Sequence, residues 1–536
     1  MALALAVLAP AAAAAPRLRS PERGPSIPAV TPGSTGVLVQ LQRGQTRGVK
    51  SLLRGAGAEL ISSKLRIWRV GGASAPSLLP LLRLGGAVQT VEPDRELRSP
   101  AIEPVPTDPL FANEYWYAKV GADRAQPPGP GKPVTIVDTG LDATHPEFAG
   151  RPNTTLLNTQ HVSGKNDDHG TAVASVVAAP ANGIGLVGVY PQAALQAWDA
   201  SPTGDANLTL GDEIRGILTA AARGPGVINL SLGSEAYDRL EEEAVLTAFR
   251  EGSIVVASAG NEFQEGNPVE YPASLDHVLT IAATDENDQP AFFSSSSSSV
   301  DLAAPGENIP IAEPLGYDAS GYSVDDGTSF SAPIVSGATA WVWTARPELD
   351  NTQIFELMRR SARDVWDPGY DQDTGFGVLD IPRALSMPPL APDPQEPNDD
   401  IDQVKPRGLF TSGRTPLNSP THPAATLRAR LDAFEDPDDV YRVYVPAGRS
   451  VVVYVSGDND IDLALWGLRT RTVFEKGAAL KRDLLAYSER PGKKAELVRY
   501  VNRNPGGITL YADVFLGKKV RSATYSMSVT VGRGTR

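Results

Sequence analysis

Apolar positions keep a different period in different parts of the chain. Thr35–Gln42 (TGVLVQLQ) alternates as a half-buried strand does. Val49, Leu52 and Leu53 then fall at helical spacing. Ala58–Val70 reads as one strand, although Leu60 and Ile61 are adjacent and Val70 is out of step. A helix over about Pro76–Leu84 and a strand over Ala87–Val91 complete a β-α-β-α-β order. That order predicts a small α+β module of the ferredoxin-like type over residues 34–102. The Pro-rich stretch Ser99–Pro109 beyond it is a linker and a site open to proteolysis.

From about Pro133 to Leu385 the pattern becomes short continuous apolar runs alternating with helical segments. Val134–Val137, Val227–Leu230, Ile254–Ala257 and Val278–Ile281 are such runs. Runs of this length fit parallel strands buried on both faces, so the fold class is α/β with a doubly wound, mostly parallel sheet. Pro388–Pro397 (PPLAPDPQEP) is a stiff linker. After it, Val440–Val455, Leu463–Leu468, Ala495–Val501, Ile508–Phe515 and Thr524–Val531 read as strands with almost no helical periodicity. A small antiparallel β-sandwich is expected over residues 398–536. The Ser294–Ser299 run is read as a loop.

Composition narrows the function. A formal charge of -14 argues against a general nucleic-acid binder. Zero cysteines exclude disulfides, thiolate metal sites and a cysteine nucleophile. No apolar run reaches the ~18 residues that span a bilayer. Met1–Ala15 (MALALAVLAPAAAAA) reads as the apolar core and small-residue end of a secretory signal, so a secreted, extracellular protein is expected. Residues 1–102 carry a net +8 and the remainder a net -22, two parts that attract each other.

Three residues then stand out. Asp138 ends the run Val134–Val137, where open parallel sheets hold their active sites. His169 opens a helix whose buried stripe is Val173, Val176 and Val177. Ser329 opens another, in Gly327-Thr328-Ser329-Phe330-Ser331-Ala332-Pro333, where a helix N-terminus favours developing negative charge. Singly, each reads as readily as a turn former, a structural histidine or a cap.

Together, Val137-Asp138-Thr139-Gly140, His169-Gly170-Thr171, Ser258-Ala259-Gly260-Asn261 and the Ser329 segment resemble, in order, the motifs of the subtilisin-like (subtilase) serine peptidases. The Asp…His…Ser order is theirs, with gaps of 31 and 160 residues. The resemblance covers about Asp108–Leu385 and implies a peptidase domain over residues 108–387. It implies Ser329 as nucleophile, His169 as base and acid, Asp138 as its orienting partner and Asn261 as oxyanion donor. It implies substrate-strand edges at Ser231-Leu232-Gly233 and Ala257-Ser258-Ala259-Gly260, where a peptide adds as an extra strand. Glu270, just before Tyr271-Pro272-Ala273, falls where the family has the base of the pocket for the residue preceding the scissile bond. Either Glu270 faces that pocket and selects Arg or Lys, or it turns to solvent and the pocket takes large apolar side chains.

The same resemblance makes residues 34–102 an inhibitory propeptide, removed by self-cleavage near Leu97–Pro109. It likens the tail to the bacterial pre-peptidase C-terminal domain, through Glu396-Pro397-Asn398-Asp399-Asp400 and Asp436-Pro437-Asp438-Asp439-Val440-Tyr441. Catalysis would need no cofactor. A structural Ca²⁺ is expected at Glu147 and Asn182. Protein or peptide substrates and the propeptide are the expected partners of a monomer. A catalytically silent protein-binding scaffold is the alternative, although none of the three key residues is lost. A sedolisin-type acid peptidase is contradicted by His169 and Asn261.

Overall fold

The computed structural model describes residues 34–44, 47–71, 73–95, 106–162, 167–201, 203 and 207–533. The expected signal segment, Met1–Ala15, and most of the expected cleavage region, Leu97–Pro109, lie outside the described residues. The chain divides into two compact units, Met1–Pro104 and Val105–Arg536.

In the first unit, β1 (Ser34–Leu41), α1 (Arg47–Gly55), β2 (Glu59–Ser62), β3 (Ile67–Gly71), α2 (Ala75–Leu84) and β4 (Val88–Arg95) follow one another. They build an antiparallel sheet in the order β2-β3-β1-β4. The single strand expected over Ala58–Val70 is a hairpin. Its chain turns between Ser62 and Ile67, with Arg66 at a φ of 60°. The turn resets the inward face, which explains why Val70 was out of step. Val37, Val39, Leu53, Trp68, Leu79 and Leu82 form the core beneath the helices.

In the second unit, α3 (Tyr115–Lys119) leads to a seven-stranded sheet. Its strands are β5 (Pro133–Asp138), β6 (Thr154–Leu156), β7 (Ala194–Asp199), β8 (Val227–Leu230), β9 (Ile254–Ser258), β10 (Val278–Thr284) and β11 (Leu302–Pro305). All its pairings are parallel, in the order β11-β10-β9-β8-β5-β7-β6. The four apolar runs of the sequence are β5, β8, β9 and β10. They are buried almost throughout because helices cover both faces. One face carries α4 (His169–Ala178) and, after the hairpin of β12 (Ile309–Ala312) and β13 (Tyr322–Asp325), α7 (Thr328–Ala345). The other carries α5 (Leu210–Ala222) and α6 (Arg239–Arg250). Ser294–Ser299 carries no helix or strand.

After α8 (Asn351–Ser361), eight strands form two four-stranded antiparallel sheets. β14 (Ala424–Asp432), β21 (Ser522–Arg533), β16 (Arg449–Gly457) and β19 (Glu496–Val501) form one. β15 (Asp438–Val445), β20 (Ile508–Leu516), β17 (Ile461–Trp466) and β18 (Leu484–Ser488) form the other. The run Val440–Val455 is thus two strands, divided at Pro446-Ala447-Gly448. Alternate residues such as Val451, Val453 and Val455 meet Leu463, Leu465 and Val514 in the sandwich core.

Candidate active site

Asp138 is the last residue of β5 and is wholly buried. Its neighbour Thr139 does two jobs. The Thr139 N–H donates to Asp138 Oδ1 (2.7 Å), and the Thr139 hydroxyl accepts from the Gly170 N–H at the start of α4 (2.9 Å). Gly170 is required for that approach, because a Cβ there would lie 2.9 Å from the Gly140 nitrogen. The helix start is thereby held against the strand end, and His169 is presented to Asp138. The His169 Nδ1 lies 2.9 Å from Asp138 Oδ1 and 3.0 Å from Oδ2. Burial disfavours the imidazolium, but the Asp138 carboxylate outweighs it and holds the His169 pKa above the ordinary histidine value.

Ser329 is the second residue of α7, half-buried, beside Phe330, whose ring centre is 6.1 Å from that of His169. Pro333 sits four residues on. Having no N–H, it leaves the Ser329 carbonyl without its helical partner. The Ser231 hydroxyl donates to that carbonyl instead (2.8 Å). Ser231 in turn accepts from the Asn229 amide (3.0 Å), whose oxygen accepts from the Ser336 hydroxyl (2.8 Å). A buried polar relay therefore ties the start of α7 to the end of β8.

Asn261 lies just beyond β9. Its Oδ1 accepts from the Thr328 N–H and the Thr328 hydroxyl, both at 2.9 Å. This turns the NH₂ group toward Gly327. A point where Gly327 would carry a Cβ is 3.6 Å from the Ser329 nitrogen and 3.7 Å from Asn261 Nδ2. Two N–H groups thus border one spot beside Ser329.

Ser231, Leu232 and Gly233 run on past β8, while Ala257 and Ser258 end β9 and continue into Ala259 and Gly260. Glu270 lies between these two stretches. A Cβ on Gly260 would be 2.8 Å from Glu270 Cγ, and one on Gly233 would be 3.3 Å from Glu270 Oε2. Burial, then the charges of Glu262 and Glu235, raise the Glu270 pKa.

A family model described as the subtilase family matches residues 129–377. The chain is 33% identical to a probable subtilase-type serine protease of Deinococcus radiodurans, over 47% of this chain and 39% of that protein. It is 30% identical to the minor extracellular protease Epr of Bacillus subtilis, over 51% of this chain and 40% of Epr. The chain thus spans about two fifths of the length of these two relatives. Subtilisin Savinase of Lederbergia lenta is 34% identical over 45% of this chain and 90% of its own length. The chain belongs to the subtilase family.

In this subtilase the four residues singled out for chemistry lie at the ends of β5 and β9 and the starts of α4 and α7. Sequence reasoning missed Thr139, Asn229, Thr328 and Ser336, which fix them in place. Two other histidines do different work. His145 Nε2 meets the Gly321 carbonyl (2.9 Å), and His161 pairs with Asp199 (3.1 Å).

Glu147 and Asn182 share a neighbourhood. The Glu147 Oε1 accepts from the Leu186 N–H (3.1 Å) and the Tyr322 hydroxyl (2.9 Å), and its buried Oε2 has no partner among the described residues. Asn182 turns its amide oxygen onto the Ile184 N–H (2.8 Å), and Asp108 takes the N–H groups of Asn182, Gly183 and Ile184. Two acidic or histidine groupings with metal-ligand spacing occur among the described residues. Both lie elsewhere, at His277, Glu396 and Asp399 and at Asp393, Asp436 and Asp439. No helix among the described residues is long and apolar enough to cross a membrane.

Proposed function

We propose that this chain is a secreted endopeptidase working through Asp138, His169 and Ser329. The Ser329 hydroxyl attacks the scissile carbonyl while His169 Nε2 takes its proton. The tetrahedral oxyanion is met by the Ser329 N–H and the Asn261 amide. His169 then gives its proton to the leaving amine, and water hydrolyses the acyl-enzyme by the same route in reverse. Asp138 holds the imidazole in the tautomer whose Nε2 faces the serine and stabilises the cation that forms.

One observation carries this reading: the Ser329 and Asn261 amide nitrogens border one spot beside Gly327, at the serine that follows the Asp138–His169 pair in chain order. Labelling with a fluorophosphonate tests it. Modification confined to Ser329, lost in Ser329→Ala, is expected; a processed protein that takes no label sinks the proposal.

The finer substrate reading is a preference for Arg or Lys just before the scissile bond. Its support is the Glu270 side chain lying against Gly260 through its Cγ and against Gly233 through its carboxylate, with Glu262 and Glu235 adding negative charge. A basic side chain would form a charge-assisted pair there. We also read the basic first unit as an inhibitory propeptide released by the enzyme itself, and residues 398–536 as an appended β module. The opposite charges of the two parts support the first, and the eight strands of the tail support the second.

A further inference from the structure

The β-sandwich packs on the peptidase core along a seam of uneven charge. In one part Asp393, Glu396, Asp436 and Asp439 are buried. In another, a cavity of about 360 Å³ brings three arginines together, Arg360 and Arg383 from the core and Arg521 from the sandwich. Arg383 lies on α9 (Ile381–Ser386).

The three cations are short of anions. Among the described residues none of them makes an ion pair. The carboxylates on the same wall are engaged otherwise. Asp432 Oδ1 accepts from the Arg359 guanidinium (3.2 Å) and the Phe434 N–H (3.1 Å). Asp364 takes the Gly369 N–H on its two oxygens, at 3.2 and 3.1 Å. Arg383 donates to the Ala362 carbonyl (2.9 Å), and Arg521 lies over the Tyr370 ring, 5.9 Å from its centre. The chain holds 63 Asp and Glu against 49 Lys and Arg, so anions are not scarce. Like charges grouped around one cavity repel each other, and an entering anion relieves that repulsion.

The rest of the wall is aromatic. Phe434 of the sandwich stacks on Tyr370 of the core (4.7 Å between centres, 19° between planes), and Phe376 meets Tyr370 edge-on (5.3 Å). The Tyr370 hydroxyl donates to the Ser298 carbonyl (2.7 Å), outside the lining, which leaves the ring to the cavity. The volume falls in the range of small-ligand pockets, roughly 300–1,000 Å³. The place is remote from the catalytic residues. The Phe376 N–H donates to the Asp301 carbonyl (2.8 Å), just before β11. The strands of this sheet all run one way, so the start of β11 lies at the end opposite Asp138, which closes β5.

We propose that this cavity binds a carboxylate joined to an aromatic or large apolar group, as at the C-terminus of a peptide. The guanidiniums meet the carboxylate, whose two oxygens match their planar pairs of N–H groups. The apolar group lies on Tyr370, Phe376 and Phe434. A bare phosphate or sulfate would satisfy the cations and leave the rings uncovered. Arg521 and Phe434 come from the sandwich and the other residues from the core, so an occupant bridges the two. This inference does not rest on the peptidase reading.

The test uses the full chain carrying Ser329→Ala, which prevents self-digestion. Calorimetric titrations with acetyl-Ala-Ala-Phe, its C-terminal amide and phenylacetate are run on this parent, on Arg521→Gln and on Arg360→Gln. The peptide acid should bind the parent and raise its melting temperature. The amide on the parent, and the acid on either variant, should bind about 10-fold or more weakly. Without ligand the variants should melt as the parent does, because both side chains are exposed, and either variant alone carries the test. Phenylacetate binding as tightly as the peptide assigns the carboxylate and ring as the ligand; weaker binding assigns a peptide C-terminus. No heat and no melting shift at millimolar peptide acid would overturn the proposal. So would equal binding of acid and amide. So would coinciding isotherms in parent and variants, the result expected of a peptide held in the catalytic groove.

Discussion

At the end of β5, Asp138 is wholly buried, and both of its oxygens meet donors, from Thr139 N–H and from His169. In the seam, Asp436 is almost as buried, and its Oδ1 meets none among the described residues. The two carboxylates have the same chemistry and nearly the same exclusion from water. What differs is the partner each site supplies, and that difference separates their roles. A carboxylate already satisfied by a histidine can tune that histidine. A carboxylate left open in a cluster of its own kind is costly to keep charged. Burial alone distinguishes neither case; the donors around each oxygen do.

The comparison breaks most sharply at the active site. Asp138→Asn keeps the shape but offers an NH₂ group to His169 Nδ1, favouring the wrong tautomer. A fall in kcat of about 10⁴ is expected with the fold intact, the size seen for this change in Ser-His-Asp enzymes. The check is steady-state kinetics beside circular dichroism. A loss under tenfold would mean that Asp138 only packs.

Much of this site was legible because each key residue sits within its own short motif. Asp138, His169, Asn261 and Ser329 each bring neighbours whose identity depends on close backbone approach, as Gly170 against Gly140 shows. The supports were not legible. Thr139, Thr328 and Ser336 are ordinary residues whose roles arise from where their hydroxyls point. The seam was hidden for another reason. Asp393 lies 43 residues from Asp436 in the chain, and acidic side chains near a Pro-rich linker read as solvated. Folding alone brings them together and removes the water. The hairpin at Ala58–Val70 was masked because Ser63-Lys64-Leu65-Arg66 holds no Gly, Pro, Asn or Asp to mark the turn.

A smaller effect sharpens the comparison at Glu270, a half-buried carboxylate between the two extremes. Among the described residues no cation pairs with it, and an Arg or Lys substrate would supply one. Glu270→Gln should lower the ratio of kcat/KM for Arg or Lys substrates over Phe or Leu substrates by roughly tenfold or more, since leaving a charge poorly solvated costs about 1–3 kcal/mol. Matched peptide substrates measure it. Equal ratios in the two proteins would remove Glu270 from the pocket.

The smallest effect concerns a third way of satisfying a buried carboxylate, with a proton. Glu213 on α5 and Glu241 on α6 are 6% and 4% exposed. Burial, then the charge of Glu241 and a hydrogen bond with it, push the Glu213 pKa to about 9. The raised value means that the folded protein binds a proton which the unfolded chain, near 4.5, has released. The contribution to stability is therefore full below about pH 4.5 and is lost as the pH climbs through about 9. Glu213→Gln supplies a permanent NH₂ donor in place of the protonated carboxyl. Its melting temperature should fall less than that of the parent between pH 5 and pH 9, by a few degrees or less. Scanning calorimetry in the Ser329→Ala background, with chelator present throughout, keeps self-digestion and calcium out of the result. Parallel curves of melting temperature against pH would show that the pair does not share a proton.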